Sequence, residues 1–221
     1  MPDLDNKIEE LLRRTKKTTK SRYRASERLE RHHKFSQWTV SFLSVALVFI
    51  PLMQAFDVDV GIESLYLNAT QAILAVLILA YSLLLGQENF ISRSEAMHRN
   101  GVELGRFART LAAYKGKENV PDEEYHLLVE KYYDILEKYE NHKPLDYLFT
   151  RLYYKPEKLS EWPEYCWVWV RAQIFRFFIY SHYIAVLGLV LFVFVTMFSA
   201  IHEQSTSNKP NKTDAVNSAI S

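Results

Sequence analysis

Residues 140–147, with the sequence Glu-Asn-His-Lys-Pro-Leu-Asp-Tyr, combine side-chain types that perform catalysis in many enzymes. His142 stands close to Asp146 in sequence, and an imidazole positioned by a carboxylate can act as a general base. Asn141 adds a group that both donates and accepts hydrogen bonds. The same residues also fit a junction between two helices. The secondary structure predicted around them distinguishes the two interpretations.

Three long apolar runs indicate an integral membrane protein. They cover residues 38–56, 64–87 and 177–201, and none contains Asp, Glu, Lys or Arg. About 20 helical residues, each rising about 1.5 Å, cross a hydrocarbon core of about 30 Å, so each run is long enough to span a bilayer. We predict two spans at about 38–56 and 65–86 joined by a short acidic outer loop at 57–64, followed by a third span at 177–201.

Basic side chains beside the runs predict the orientation, since cytoplasmic loops carry an excess of Lys and Arg. Five Lys or Arg residues lie at 22–34, before the first run, whereas the loop at 57–64 contains none. Arg93 follows the second run closely. We therefore expect the N-terminus and residues 88–176 in the cytoplasm, and both the acidic loop and the C-terminal tail outside.

The fold class predicted by these patterns is an all-α membrane protein. Helical spacing covers 4–18 and 21–36, and the second helix continues into the first span. Residues 122–141 carry apolar and tyrosine side chains at alternating spacings of three and four, which predicts an amphipathic helix antiparallel to the one before it. The predicted segments are a basic helical leader at 1–36, a transmembrane hairpin at 37–87, a cytoplasmic helical hairpin at 88–160, an interfacial aromatic segment at 161–176, the third span at 177–201 and a disordered tail at 202–221.

A spacing of seven in residues 88–114 predicts close packing between helices. Large apolar residues recur every seventh position, and small residues form parallel rows beside them. Glycine inside a helix costs about 1 kcal/mol, so a close neighbour should compensate for it, either in the same chain or in another copy. The candidate packing and oligomerisation residues are Phe90, Met97, Gly101, Leu104, Gly105, Ala108 and Leu111.

Polar side chains also occur inside the predicted spans. Asn68, Gln71 and Ser82 lie in the second run, and His182 lies near the start of the third. Polar groups in membrane helices either bond across to a neighbouring helix or line a water-filled pathway. We favour interhelical bonding for this set, and pore lining stays open.

The rest of the sequence contains no recognised catalytic or cofactor-binding motif. There is no phosphate-binding glycine loop, no zinc-ligand pair on one helix and no nucleophile elbow. The single cysteine, Cys166, excludes an internal disulfide and a multi-cysteine metal site. We therefore predict no catalytic residue, no cofactor, no metal and no enzymatic activity.

Several stretches together resemble the SLATT domain, a prokaryotic two-transmembrane effector module of conflict systems. They are a basic helix containing YRASERLERHHKF, a two-span hairpin with a very short outer loop, a long helix containing SEAMHRNGVELGRFARTL, and a helix ending in YENHKPLDY. The resemblance covers about residues 5–160, and the third span marks a subgroup with a C-terminal extension.

The resemblance implies a membrane effector of antiviral defence that oligomerises and opens pores or disrupts the bacterial inner membrane. It also implies separately encoded partners: a synthase of a nucleotide signal, a SLOG sensor or a reverse transcriptase. The lipid bilayer and other copies of the chain are also expected partners, and direct binding of nucleic acid is not expected.

Two other functions remain as alternatives. The chain could be a passive anchor or scaffold that recruits a partner through its cytoplasmic helical hairpin, or a membrane-bound enzyme that uses His142 and Asp146. We favour the junction interpretation of this stretch. Asn141 and His142 then suit the negative end of the outgoing helix, Pro144 suits the first turn of the next one, and Asp146 complements its positive end.

Overall fold

A computed structural model describes residues 4–56, 61–115, 120–141, 143–153, 155–156 and 158–207. In this part of the chain every regular element is helical, which confirms the all-α fold class. Of the predicted disordered tail at 202–221, residues 202–207 form the end of the last helix, and the rest lies outside the described residues, as does 57–60 of the outer loop. The helices are α1 (Leu4–Ala55), α2 (Ser64–Glu88), α3 (Phe90–Tyr114), α4 (Asp122–Glu137), α5 (Pro144–Arg151) and α6 (Trp162–Ser207), with one 3-10 turn, Leu159–Glu161, directly before α6.

Helix α1 is a single element of 52 residues, although the sequence predicted separate helices at 4–18 and 21–36. The polar residues between those ranges do not interrupt it, because their hydroxyl groups are satisfied within the helix. Thr15 donates to the carbonyl of Leu11 at 2.7 Å, and Thr19 donates to the carbonyl of Thr15 at 2.8 Å. A hydroxyl bonded one turn back leaves the backbone ladder intact.

One face of α1 is buried along nearly its whole length. Its members are spaced by seven, and each exposes at most 2% of its surface. This spacing keeps the side chains on one side of an α-helix that winds around its neighbours. Polar and apolar residues are mixed in the row, which is why hydropathy alone did not reveal it. The row consists of Ile8, Thr15, Arg22, Leu29, Ser36, Leu43 and Ile50.

The chain divides into two compact units. Residues up to 34 together with 88–180 form one unit, here called the polar unit. Residues 35–87 together with 181 onward form the other, here called the apolar unit. Helices α1 and α6 each contribute to both units.

The apolar unit brings together the three predicted spans. Three helices of the described chain are long and apolar enough to cross a membrane, as predicted. The third packs with the first, since the Phe49 and Phe194 ring centroids are 5.2 Å apart and the Ser36 and Tyr183 hydroxyl oxygens are 2.7 Å apart. Rows spaced by seven are buried here too: Leu67, Leu74 and Tyr81 on α2, and Tyr183, Val190 and Met197 on α6.

A single residue, Asn89, separates α2 from α3. Its backbone is left-handed, with φ 46° and ψ 42°. Asparagine is one of the few residues other than glycine that adopt this conformation readily. The buried row of α2 ends at Tyr81 and that of α3 starts at Phe90, nine positions later instead of seven. The two rows therefore do not form one continuous series.

The core of the polar unit lies where α1, α3 and α4 meet. Helices α3 and α4 form the antiparallel hairpin predicted from the sequence, and side chains link them along their length. The Asn100 amide donates to the Ile135 carbonyl at 2.8 Å, and the Tyr114 hydroxyl donates to Glu124 at 2.8 Å. The buried cluster between the three helices comprises Leu11, Leu12, Leu104, Phe107, Ala108, Leu111, Leu128, Tyr132 and Ile135.

The neighbour that the glycines of α3 required is α1 of the same chain. A β-carbon added at Gly101 would lie 3.0 Å from the Tyr23 ring, which is tighter than ordinary van der Waals contact. One added at Gly105 would lie 3.9 Å from Thr19, within the ordinary range. Only Gly101 therefore has a steric reason to lack a side chain.

These contacts predict opposite outcomes for two alanine substitutions. Gly105→Ala should raise the free energy of unfolding by about 1 kcal/mol, because alanine is the better helix former and the site has room. The free energy of unfolding of Gly101→Ala should be about 1–3 kcal/mol lower than that of Gly105→Ala, because the Tyr23 ring has to move. Thermal unfolding of the two purified variants, followed by circular dichroism in the same detergent, measures the difference. Equal shifts in Tm would contradict the assigned contact.

Candidate functional site

The stretch with potential catalytic residues forms a junction between α4 and α5. Helix α4 ends at Glu137 and α5 begins at Pro144, so Asp146 falls in the first turn of α5. Asn141 is exposed, whereas Asp146 is completely buried. His142 lies outside the described residues. The junction faces α1, and the side chains that connect the two are here called the junction site: Ser21, Arg22, Arg28, Glu140, Asp146 and Thr150.

Asp146 is held on both of its carboxylate oxygens. The Arg28 guanidinium donates to Oδ1 at 2.8 Å and to Oδ2 at 3.1 Å. The backbone N–H of Lys143 donates to Oδ2 at 3.0 Å. Side-chain exposure is 13% for Arg28 and 1% for Asp146, so the pair is largely withdrawn from water. Bidentate pairs of this kind fix the geometry of the elements they join. The arrangement favours a structural junction over a free general base.

Arg22 is the second arginine of the junction site, and it is almost fully buried. Its guanidinium donates to the Glu140 main-chain carbonyl, just beyond the end of α4, and lies 3.5 Å from the Met97 sulfur. Burial lowers the pKa of Arg22, and the nearby Tyr132 and Asp146 oppose that shift. The Nε atom has no hydrogen-bond partner in the described structure. A buried guanidinium with an unsatisfied donor lowers the stability of the fold, so loss of either remaining contact of Arg22 would lower it further.

Hydroxyl groups add further links between α1 and the other helices of the polar unit. The Ser21 and Thr150 hydroxyl oxygens are 3.1 Å apart, which ties α1 to α5. Ser94 of α3 donates to the main-chain carbonyl of Ser26 at 2.9 Å. The Thr18 hydroxyl lies 3.0 Å from that of Tyr132 on α4. Helix α1 is therefore bonded through polar side chains to α3, α4 and α5.

Tyrosine–glutamate hydrogen bonds close the α3–α4 hairpin near both of its ends. Tyr139 donates to Glu103 and Tyr114 donates to Glu124, each at 2.8 Å. Each bond stabilises the protonated phenol beside a carboxylate and raises the pKa of its tyrosine. The tyrosine-rich face predicted at 122–141 is therefore used within the chain, at Tyr132 and Tyr139.

The candidate oligomerisation residues on α3 lie inside the polar unit. Phe90, Met97, Leu104, Ala108 and Leu111 are buried there, and Gly101 packs on Tyr23. Gly105 is half-buried beside Thr19. Their spacing is thus explained by packing within one chain, and a role in contacts between copies stays a prediction.

The polar residues of the spans do not form a single group. Gln71 donates to the side-chain oxygen of Gln54 at 2.8 Å, and Gln54 donates to Asn68 at 3.4 Å, which forms an amide chain between α1 and α2. Ser82 lies 11 residues beyond Gln71, about three helical turns away. His182 is exposed, and its ring is tilted by 39° against that of Tyr183, with the centroids 3.9 Å apart. Lining of a pore by these groups stays a prediction.

The sequence pointed to Asp146 but missed Arg22 and Arg28. Both appeared only as members of a basic face that sets the orientation. The signal that identifies Arg22 is its place in the row spaced by seven, between Thr15 and Leu29. Arg28 has no comparable signal in the sequence, because its partner lies 118 positions away.

The junction site consists mainly of arginine and hydroxyl side chains, and Asp146 is already occupied by Arg28. Among the side chains that the structure describes, no three of His, Cys, Asp and Glu are grouped so that they could hold a metal ion. Cys166 is exposed on α6 and is not part of the site.

Comparison with known proteins gives one match. The family model described as SMODS and SLOG-associating 2TM effector domain family 5 matches residues 4–198. The match confirms the predicted SLATT resemblance, and it extends beyond residue 160 to cover nearly all of the third apolar helix. No curated protein and no solved structure matches the chain.

The buried ion pair predicts a large difference between two arginine substitutions on α1. Arg28→Met should lower the free energy of unfolding by about 3–5 kcal/mol, because it leaves Asp146 buried without its cation. Arg24→Met is the matched control, since Arg24 pairs with Glu27 at the surface and is 40% exposed. Removal of such a pair costs about 0–1 kcal/mol.

A double substitution tests whether the loss comes from the uncompensated charge. Arg28→Met combined with Asp146→Leu should recover most of the lost stability, except for about 1 kcal/mol from the missing cap of α5. Chemical denaturation in detergent measures the free energy of unfolding of the unsubstituted protein, of Arg28→Met, of Arg24→Met and of the double variant. Equal effects of Arg28→Met and Arg24→Met would remove the ion pair from its assigned role.

Proposed function

We propose, because the chain belongs to SMODS and SLOG-associating 2TM effector domain family 5, that it is a non-enzymatic membrane effector of a prokaryotic conflict system. It resides in the bacterial inner membrane and crosses it three times, with the N-terminus and residues 88–176 in the cytoplasm. The observation that carries the proposal is the family match over residues 4–198, which covers the first two described helices long enough to span a bilayer and nearly all of the apolar part of the third.

In this proposal the trigger acts on the cytoplasmic helices. It comes from a separately encoded partner: a synthase of a nucleotide signal, a SLOG sensor or a reverse transcriptase. Copies of the chain then associate and form a pore or destabilise the bilayer. The amide chain of Gln54, Asn68 and Gln71 supplies polar groups that such an assembly can present to water.

The junction site provides a physical basis for switching. Arg22 and Arg28 keep their hydrogen bonds to Glu140 and Asp146 only while the end of the α3–α4 hairpin and α5 lie against α1. Buried charges lose much of their stability when one partner moves, so the contacts break together. Since α1 is a continuous helix from 4 to 55, a change at the junction acts on the same helix that contains the first span. Two alternative arrangements of one element are the usual basis of a switch.

The test is controlled expression of the full chain in a bacterial host, with and without its neighbouring genes. A potential-sensitive dye measures the membrane potential of the cells. Expression with the partner genes should arrest growth and depolarise the cells. An intact membrane potential at full expression with the partners present would count against an effector that permeabilises membranes. Stable binding of a partner without depolarisation would instead support the scaffold alternative.

Variants in the first two spans sharpen this test. Gln54→Leu combined with Gln71→Leu should reduce depolarisation at least several-fold at equal protein level, because it removes the amide pair from the spans. Thr70→Val is the matched control on the same helix, since the Thr70 hydroxyl bonds to the carbonyl of Tyr66 in its own helix at 2.8 Å. Loss of activity in both variants alike would speak against a role specific to the amides.

A histidine substitution tests the enzymatic alternative directly. His142→Gln removes the only imidazole of the junction stretch and keeps a polar side chain of similar length. We expect growth arrest and depolarisation to be unchanged. A complete loss of activity, with normal expression and membrane insertion, would support catalysis at this stretch.

A further inference from the structure

We propose that a cavity between α1, α5 and α6 of the polar unit binds the phosphate group of an anionic ligand. The cavity has a volume of about 450 Å³ and is here called the arginine cavity. It is open to solvent on one side, and it lies next to the junction site, with which it shares Arg28. The proposal does not depend on pore formation. The side chains that carry it are Arg24, Arg28, Arg31, Arg176, Tyr165 and Trp169.

The charge of the arginine cavity is strongly positive. Four guanidinium groups line it, and Glu27 is the one acidic residue among the lining side chains that the structure describes. Glu27 lies 2.8 Å from Arg24 and 3.6 Å from Arg31, so one carboxylate serves two arginines. Asp146 neutralises Arg28 from behind. Four cations against two anions leave an excess of two positive charges.

Arg176 is the arginine with the least compensation. No described carboxylate lies within ion-pair distance of it, and its side chain is exposed at the cavity. Arg31 is also exposed, and it shares its only described carboxylate, Glu27, at the longer distance of 3.6 Å. These two side chains therefore keep most of their hydrogen-bonding capacity for a ligand.

The chemistry of the lining fits a phosphate ester. The guanidinium group is planar and donates two parallel hydrogen bonds, which match the oxygens of phosphate. Trp169 is 49% exposed and lines the cavity together with Tyr165, so flat apolar surface stands beside the cations. Such surface suits the organic part of the ester, whether a base or a glycerol backbone. The volume lies within the range of about 300–1,000 Å³ found for small-molecule sites.

Two sources can provide this phosphate group. Arg31 and Arg176 come seven and one positions before the apolar runs at 38–56 and 177–201, where phospholipid headgroups meet a membrane helix. A soluble nucleotide offers the same phosphate chemistry together with a flat base. The experiment therefore has one arm for each source.

Calorimetric titration of the purified full-length protein in uncharged detergent tests the proposal. The probes are dioctanoyl phosphatidylglycerol for the lipid arm and ATP for the nucleotide arm, with dioctanoyl phosphatidylcholine as the zwitterionic comparison. At least one anionic probe should bind, and Arg31→Gln and Arg176→Gln should each weaken it about tenfold, as expected for the loss of a charge-assisted bond. Arg171→Gln is the matched control, because Arg171 lies on α6 outside the cavity and contacts Phe175.

The outcomes separate the sources and can overturn the proposal. Binding of phosphatidylglycerol alone identifies a headgroup site, and binding of ATP identifies a nucleotide site. Binding of neither probe overturns the proposal, and so does an equal loss of affinity in Arg171→Gln, which would indicate a general effect of charge. Arg176→Lys keeps the charge without the planar fork and should bind with intermediate affinity. Circular dichroism and gel filtration verify that each variant is folded.

Discussion

A charged side chain that leaves water has to find protein groups that replace its hydration, and the polar unit is organised around that requirement. Arg22, Arg28 and Asp146 are buried or nearly so, and the two arginines find their partners on α3, on α5 and in the segment that follows α4. Loss of any of these segments would remove a hydrogen-bond partner from a buried arginine. Apolar packing alone would tolerate small shifts of the helices along α1. These hydrogen bonds are directional and form at only one position of each helix along α1. They fix where α3, α4 and α5 lie on α1.

The same geometric rule produces both compact units, although their chemistry differs. Side chains at every seventh position face inward on α1, α2, α3 and α6, as expected for helices that wind around one another with a period of 3.5 residues per turn. In the apolar unit the row is made of Leu, Ile, Val and Met with a few hydroxyl groups. In the polar unit it includes Arg22 and Thr15. The change in chemistry along one continuous helix marks where water gives way to lipid in the proposed topology.

The sequence predicted the features that depend on local composition. The three apolar runs and the row of Phe90, Met97, Leu104 and Leu111 could be recognised because hydropathy and spacing agree there. The row on α1 escaped notice because Arg22 and Thr15 interrupt its hydropathy. The break at Asn89 depends on a left-handed backbone conformation, which the composition of the neighbouring residues does not predict. Pairing of Arg28 with Asp146 depends on how helices distant in sequence pack, which no short stretch encodes.

The distance in sequence between Arg22 and its acceptor has a consequence for synthesis on the ribosome. The Glu140 carbonyl lies 118 residues after Arg22. At about 5–20 residues per second, a nascent chain takes about 6–24 seconds to make this acceptor. During that interval the first half of α1 has emerged with its arginine still hydrated, while the first two apolar runs have already been translated. The polar unit therefore cannot close on Arg22 before both runs have been made, and until then the N-terminal helix remains available to other partners.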